Sequence, residues 1–403
     1  MKNDYYTIIL GAGASGLACA GVAAQAGPVL LLDHGQKSAC KVDIAGGGKA
    51  NFTNRHLKID DFHTSNQRFC LSALSRFTPE DCLAWLDSHK VQYEEREHGQ
   101  VFCSRSAKDF SRALRASCLA DDSCTTLLET TIQKAQKVED SFVVSTSKGD
   151  FNAQNLVIAL GSPAFPQSGA TALGTHLAKQ FGHSVLPFQP ALVGLASAEW
   201  GNGDLAGMSL PVQMRVTLPK GKKQVMADFP TPLPLLFTHT GLSGPAVLQA
   251  SLLWEEGFPI TINFLPDLSL EGFLQEPQQG KLLLTNALKQ LFPERFAQWL
   301  LTNLDIPNGR VAELAKNNRQ RLCKNVHEYT FIPQGTEGFK KAEVAKGGVD
   351  TSQVSSKTFE SALVPGLYFC GEVLNVTGRL GGYNLHWALA SGKAVGQALL
   401  AKG

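Results

Sequence analysis

The chain has 403 residues, enough for roughly two or three domains with buried cores. Apolar residues make up 43% and charged residues 18%, which excludes a disordered chain or a coiled coil. The 37 basic residues nearly balance the 35 acidic ones, and the net charge of +2 does not by itself indicate a nucleic-acid or membrane partner. Nine cysteines without a CxxC pair indicate neither a disulfide framework nor a zinc site, so we expect a cytoplasmic protein.

The N-terminal residues have the pattern of a βαβ unit. Residues 6–10 and 29–33 are apolar and of strand length, and the small residues of 15–25 between them favour a helix. Residues 5–32 carry no charge and have the length of a membrane span, but five glycines interrupt them. The pattern therefore predicts a nucleotide-binding fold and no membrane partner.

Further α/β elements follow before residue 190. Helical periodicity is found in 79–89 and 108–119, and strand composition in 142–146 and 155–160. The sheet begun by the first two strands is therefore expected to continue with the strands near 150.

The pattern changes after about residue 190. Residues 212–218 and 260–264 alternate apolar and polar side chains, as half-exposed antiparallel strands do, and 280–325 has a helical period. Strand composition returns at 366–370, and a helix is predicted at 385–401. We therefore expect an α/β protein whose nucleotide-binding domain is discontinuous. The predicted domains are 1–189 with 346–403 for nucleotide binding, 190–266 with about 328–345 for an antiparallel β insert, and 267–327 for a helical subdomain.

A dinucleotide-binding motif lies between the first strand and the first helix. Gly11, Gly13 and Gly16 give the GxGxxG spacing, in which the glycines allow a tight turn, close approach to a pyrophosphate and helix–strand packing. Asp33 ends the next strand, where an acidic side chain binds ribose hydroxyls. An acid at this position favours FAD or NAD over NADP.

Two further glycine clusters favour FAD over NAD. They read AGGGKANFTN at 45–54 and GEVLNVTGRLGGYN at 371–384, and a plain NAD domain needs neither. A helix starting at Asn384 would bring the positive end of its dipole to a reduced flavin, whose N1 carries negative charge.

Five blocks in this order carry a family resemblance. They are GAGASGLACA at 11–20, AGGGKANFTN at 45–54, ALGSPAFPQSGAT at 159–171, FTHTGLSGPAVLQAS at 237–251 and GLYFCGEVLNVTGRLGGYNLHWALASG at 366–392. The chain resembles, nearly end to end, the BaiN/YhiN(RdsA)-type family of FAD-dependent oxidoreductases. The resemblance implies a glutathione-reductase-type FAD-binding Rossmann domain, discontinuous, with an inserted antiparallel β domain that is barrel-like and a helical subdomain.

The resemblance also implies a set of non-covalent FAD contacts. The residues that would hold the ADP half are Gly11, Gly13, Ala14, Ser15, Gly16 and Asp33. Those along the flavin would be Gly46, Gly47, Gly48 and Asn51, those at the ribityl chain Gly371 and Glu372, and those at the ring Gly381, Gly382, Tyr383 and Asn384. The chain departs from the family at Lys49 and Ala50, where Arg-Cys is usual, and at Asn375 and Thr377, where Asp is common.

The resemblance implies reduction of a conjugated C=C bond, in a steroid-like enone or in a uridine of ribosomal RNA. Electrons would pass from a nicotinamide donor, NADH or NADPH, through flavin N5. No second strand–GxGxxG–helix unit lies between residues 161 and 365, and 201–207 is interpreted as a loop. We therefore expect the nicotinamide to bind only transiently.

Two other functions stay open. One is a flavin amine oxidase that acts on a small amine with oxygen as acceptor. The other is an FAD-containing RNA-binding protein, for which the basic run at 310–324 is the evidence. No residue pattern identifies a general acid or base. His239 in a Thr- and Gly-rich loop is the candidate, although a structural loop histidine fits equally well, whereas His386 and Trp387 are expected to be packing residues.

Overall fold

A computed structural model describes residues 4–119, 123–197, 203–220, 223–228 and 232–403. The chain divides into two compact units. The first runs to Ala191 and resumes at Phe339, and the second comprises Leu192–Gly338.

The first unit contains strands and helices from both parts of the chain. Its strands are β1 (Asp4–Leu10), β2 (Val29–Leu32), β3 (Asn51–Asn54), β4 (Phe62–His63), β5 (Tyr93–Glu95), β6 (Gln100–Cys103), β7 (Cys124–Leu127), β8 (Ile132–Val138), β9 (Ser141–Thr146), β10 (Gly149–Ile158), β11 (Val185–Ala191), β20 (Val344–Val349), β21 (Leu367–Phe369) and β22 (Thr377–Gly378). Its helices are α1 (Ala14–Ala23), α2 (Cys40–Gly48), α3 (Arg68–Arg76), α4 (Pro79–Ser88), α5 (Ala107–Leu119), α6 (Leu173–Gln180) and α12 (Tyr383–Leu400).

The central sheet of this unit has the strand order β7-β2-β1-β10-β9-β8, with β21 also paired to β10. The strands β7, β2, β1, β10 and β21 run parallel, while β9 pairs antiparallel with both β10 and β8. The parallel strands β1 and β2 are apolar and nearly fully buried because helices cover both faces of such a sheet. The carboxyl end of β1 leads directly into α1, as in a Rossmann fold.

The last helix of the chain packs on the first. A Cβ at Gly392 of α12 would collide with the backbone oxygen of Ser15 in α1, and one at Gly396 would lie 2.9 Å from the oxygen of Cys19. The small residues of α1 meet these glycines, so the two backbones approach closely. The contact with α12 thereby holds α1 in place.

The second unit combines an antiparallel sheet with helices. Its strands are β12 (Leu195–Ala196), β13 (Ser209–Lys220), β14 (Lys223–Asp228), β15 (Leu233–Phe237), β16 (Gly241–Ser243), β17 (Ile260–Asn263), β18 (Tyr329–Phe331) and β19 (Gly335–Thr336). Its helices are α7 (Pro245–Leu253), α8 (Leu270–Leu274), α9 (Leu284–Leu288), α10 (Glu294–Asn303) and α11 (Lys316–His327). The strand order is β18-β17-β13-β15-β16-β12-β19, with β14 paired to β13. One apolar core joins this sheet to the helices, since Val216 and Ile262 belong to the same buried cluster as Leu288 and Leu300.

The division of the chain can be compared with the domains expected from the sequence. The expected boundary at about residue 345 falls inside β20, which pairs with β11 of the first unit. The expected β insert and helical subdomain lie within one compact unit. The expected loop at 201–207 lies partly outside the described residues, and its described part, 203–207, is a turn.

No helix within the described part of the chain is long and apolar enough to cross a membrane. Among the same residues, no cluster of His, Cys, Asp and Glu side chains could hold a metal ion.

Candidate cofactor and active site

The glycines between β1 and α1 have two different structural roles. Gly11 has φ +104°, and a Cβ there would lie 2.5 Å from the oxygen of Ala159, while one at Gly16 would collide with the oxygen of Gly11. These two glycines are required by the packing of the chain itself. Gly13 differs, because a Cβ there would have no protein atom within 4 Å. Packing within the chain therefore does not require glycine at position 13, and the space beside it is open to a ligand.

The N-terminus of α1 is suited to an anion. Gly13 is its N-cap and provides no side-chain cap, and the first turn, which contains Ala14 and Ser15, holds no acidic residue. The first backbone N–H groups of a helix lack intrahelical acceptors and lie at the positive end of its dipole. This end of α1 can accept a diphosphate.

Asp33 lies directly after β2 and uses both carboxylate oxygens. Oδ2 accepts from the backbone N–H of Ala12 at 2.7 Å, and Oδ1 accepts from that of Gly35 at 2.7 Å. The carboxylate thus connects the glycine loop after β1 to the loop after β2. Asp33 shapes the loop in addition to any contact with a ribose.

The second glycine cluster forms a left-handed stretch of backbone at the end of α2. Gly46, Gly47 and Gly48 have φ of +56°, +66° and +82°. A Cβ added at Gly47 or Gly48 would have no atom of another segment within 4 Å. A Cβ added at Gly46 would lie 2.9 Å from the backbone nitrogen of Asn51. The side-chain amide of Asn51 donates to the oxygen of Val101 at 3.2 Å and accepts from the backbone N–H of Gly382 at 3.3 Å. Consecutive left-handed glycines present backbone without side chains, which allows a flat ring to approach closely.

Glu372 connects three segments beside Gly371. Its Oε1 accepts from the hydroxyl of Ser162 at 2.8 Å and from the backbone N–H of Ala345 at 2.9 Å. Its Oε2 forms an ion pair with Lys41 Nζ at 3.1 Å. Both oxygens of the Glu372 carboxylate are therefore bound by other residues of this unit. These contacts hold the neighbouring Gly371 in place after β21.

The loop that leads into α12 is closed by its own side chains. Asn384 accepts from the backbone N–H of Gly378 at 2.7 Å and donates to the oxygen of the same residue at 2.8 Å. Gly381 has φ +120°, and its oxygen accepts from Asn54 Nδ2 at 3.0 Å. Gly382, with φ +98°, is the N-cap of α12, and a Cβ there would collide with the oxygen of Thr53.

The helix starts at Tyr383, two residues before the expected 385. Tyr383 is buried, and its pKa is raised to about 12 by burial and by the charge of Asp61. Its ring packs edge-on against Phe62 at 6.0 Å between centroids. Tyr383 and Asn384 therefore fix the helix start through their side chains.

The positions that depart from the family have structural roles here. Lys49 donates from Nζ to the oxygen of Ser104 at 2.5 Å. Thr377 is fully buried and donates to the oxygen of Ala345 at 3.0 Å, a bond that an ionised Asp could not donate. Asn375 donates to Ser65 Oγ at 3.4 Å.

All the expected cofactor residues belong to the first unit, whereas His239 belongs to the second. His239 lies exposed in the turn after β15, beside Gly203. His386 and Trp387 are confirmed as packing residues, because both are buried. His386 hydrogen-bonds the oxygen of Phe77 at 2.9 Å and Thr53 Oγ1 at 2.8 Å, and burial lowers its pKa to about 4.

The first unit also contains a group of titratable residues that no sequence pattern indicates. His63 on β4 pairs with Thr377 on β22, the strand that precedes Gly381. Its side chain is exposed, yet partial removal from water and the charge of Lys346 lower its pKa. Lys346 itself is buried on β20. No sequence signal marks His63, because β4 has two residues and its neighbours come from distant parts of the chain.

A carboxylate lies close to Lys346 in sequence. Glu343 is solvent-accessible, but desolvation by the surrounding protein raises its pKa, and the charge of Lys41 partly opposes this shift. Lys41 thus acts on both Glu343 and Glu372. The first unit therefore holds acids and bases near the segments that the sequence assigns to the cofactor.

The open space at Gly13, Gly47 and Gly48, together with the uncapped start of α1, fits a dinucleotide that carries a flat ring. The fold and this glycine arrangement define a Rossmann-type protein of the FAD-binding class.

Comparison with known proteins gives the family. Residues 5–398 match the family described as HI0933-like protein Rossmann domain, and the chain belongs to this family. It is similar to a ribosomal RNA dihydrouridine synthase of Escherichia coli (strain K12), with 39% identity over 98% of both chains. It is also 27% identical to a 3-dehydro-bile acid delta(4,6)-reductase of Clostridium scindens, over 97% of this chain and 98% of that protein.

Among solved structures, the chain is similar to a 3-ketosteroid-delta4-(5alpha)-dehydrogenase from Rhodococcus jostii RHA1, with a TM-score of 0.50 and 11% identity. The similarity covers 99% of this chain and 97% of that one, and at this identity it shows the fold alone. The protein is a flavoprotein oxidoreductase, as its family membership establishes.

Proposed function

We propose that this protein reduces the C5=C6 bond of a uridine in ribosomal RNA. The observation that carries the proposal is the similarity to the Escherichia coli ribosomal RNA dihydrouridine synthase, which extends over 98% of both chains. A similarity of this extent includes every segment that the sequence assigns to the cofactor. The nicotinamide donor expected from the sequence, NADH or NADPH, belongs to this proposal.

The residues that would hold FAD follow from the geometry described above. The start of α1 and Gly13 would bind the diphosphate, Asp33 the ribose, and Gly47, Gly48 and the start of α12 the ring. FAD when bound would supply the hydride equivalent that the substrate carbon receives.

Reduction of a C=C bond also requires a proton on the second carbon. We assign this proton to the imidazole of His63, which is exposed and lies on the strand paired to Thr377. Desolvation and, to a smaller extent, the charge of Lys346 disfavour the protonated form of His63, so a proton on this ring is weakly held and readily donated. Lys346 would thus tune the acid, and His63 would deliver the proton.

A second candidate substrate is a steroid-like enone. It is favoured by the similarity to the bile acid reductase, at lower identity but with the same coverage. Both substrates present a conjugated C=C bond and need one hydride and one proton, so the same residues would serve either.

The test uses the purified holoprotein under anaerobic conditions. The cofactor is released with acid and identified by chromatography, and the holoprotein is then reduced with NADH or NADPH. Mixing with protein-free ribosomal RNA should reoxidise the flavin and convert a uridine to dihydrouridine, detected by mass spectrometry of the nucleosides. If a steroid enone reoxidises the flavin and ribosomal RNA yields no dihydrouridine, the steroid-like enone becomes the proposed substrate. Release of FMN, or of no flavin, would refute both.

A further inference from the structure

The second unit carries a strongly basic helix far in sequence from the cofactor segments. The helix α11 has four basic residues, Lys316, Arg319, Arg321 and Lys324, and no acidic residue among its twelve positions. The whole chain has a net charge of only +2. The positive charge is therefore concentrated locally on this helix.

The spacing of these residues places three of them on one side. Lys316, Gln320 and Lys324 follow at intervals of four, and so do Asn317, Arg321 and Asn325 in the adjacent row. We call these six residues the basic face. All are exposed except Asn325, which is half-buried, while Leu322 and Val326 on the opposite side enter the core.

Within the described residues, neither Lys316 nor Lys324 forms an ion pair. Arg321 is held in position by a hydrogen bond from Nη2 to the oxygen of Leu304 at 2.7 Å. A guanidinium has five N–H donors, so this bond leaves others for a ligand. The face therefore combines two unpaired ammonium groups with one pre-oriented guanidinium and several side-chain amides.

The charge at the start of α11 does not favour the isolated helix. Lys316 is the first residue, where a cation opposes the helix dipole, and Ala315 provides no side-chain cap. Arg321 and Lys324 are like charges three residues apart, which repel. By contrast, α4 begins with a Thr78 cap and has two acidic residues in its first turn. Lys324 lies in the last turn, where the dipole favours a cation, so helix stability leaves the charge of Lys316 unexplained.

We propose that the basic face of α11 binds the phosphate backbone of the RNA substrate. This proposal rests on the proposed function, since charge complementarity selects a polyanion and the substrate proposed above is one. Lysine ammonium groups and arginine fix a protein on nucleic-acid phosphates, and side-chain amides add hydrogen bonds to phosphate, sugar and base. Such contacts position the RNA and carry little sequence information.

The test compares two double variants of the full-length holoprotein. K316Q/K324Q removes two charges from the basic face, and the control K281Q/K289Q removes two exposed lysine charges elsewhere in the same unit. Binding to protein-free ribosomal RNA is measured over a series of salt concentrations. We expect K316Q/K324Q to weaken binding about tenfold or more and to reduce the slope of log K against log salt by about 1 per lysine. The control should have a smaller effect on both quantities.

Flavin content and flavin reduction by the nicotinamide donor should be unchanged in both variants, which shows that they fold. If the wild type binds and reduces RNA while K316Q/K324Q behaves as the control does, this proposal is overturned and the proposed function stands. If the wild type neither binds nor reduces RNA, the proposed function fails as well. If the wild type instead binds vesicles of anionic lipid and not RNA, and K316Q/K324Q loses vesicle binding, RNA is not the partner of the basic face.

Discussion

Asn384 and Gly378 are joined by two hydrogen bonds, because the asparagine amide accepts from the glycine N–H at 2.7 Å and donates to the glycine oxygen at 2.8 Å. The side chain of one residue thereby closes the loop that leads into the last helix. The shape of that loop depends on an amide that is both donor and acceptor.

Replacement N384D keeps the size of the side chain but removes the donor. We expect the loop to open, with about tenfold weaker FAD binding and a loss of about 1–3 kcal/mol in the free energy of unfolding. Flavin fluorescence titration and urea denaturation measure these two quantities. The control N152A removes a hydrogen bond between half-buried Asn152 and exposed Asp4 and should change neither. Unchanged affinity in N384D would show that the loop does not contact the cofactor.

Gly13 and Gly392 provide a matched pair of glycine substitutions. G13A should leave the unfolding free energy of the apoprotein unchanged, because the added Cβ meets no protein atom within 4 Å, but it should weaken FAD binding at least about tenfold. G392A should destabilise the apoprotein, because its Cβ collides with the backbone of Ser15. Thermal unfolding of both apoproteins and flavin titration separate the two effects. Full FAD affinity in G13A would remove Gly13 from the site.

The proton assignment predicts a specific defect in H63N. Flavin content and reduction by the nicotinamide donor should be unchanged, whereas product formation by the reduced enzyme should fall about 10²- to 10⁴-fold. Stopped-flow absorbance measures the two half-reactions separately. The control H176N, at an exposed position of α6, should behave as the wild type does. Equal losses in both half-reactions of H63N would indicate a structural role for His63.

His386 predicts a dependence of stability on pH. Burial lowers its folded pKa to about 4, while the unfolded chain retains about 6.5, so the unfolded state binds more protons between these values. This contribution to stability is complete above about pH 6.5 and is lost as the pH falls towards about 4. H386Q should therefore be less stable than the wild type near pH 7 and should lose less stability on acidification to pH 5, as measured by urea denaturation. The control H239Q, at an exposed position, should keep the wild-type pH dependence of stability. If H386Q also keeps it, His386 is not the source of this dependence.

The sequence allowed prediction of elements with strong local patterns. The βαβ start, α4, α5 and the alternating strands near 212 and 260 lie within a few residues of their observed positions. The GxGxxG spacing, however, does not distinguish Gly13, which faces open space, from Gly16, which the fold itself requires. That difference depends on the distance to other segments. His63 was not predicted for the same reason, since its surroundings arise from the pairing of β4 with β22 and from Lys346 on β20.

The pairing of β21 with β10 and the contact of α12 with α1 have a consequence for synthesis of the protein. Leu192–Gly338 is one continuous stretch of chain, so we expect it to fold while the ribosome is still adding later residues. The nucleotide-binding sheet must wait, because its last parallel strand and the helix that covers α1 are translated only after residue 366. Until then we expect the apolar residues of α1 to lack the helix that covers them in the folded unit. We therefore expect the cofactor to bind only after the residues of α12 have been translated.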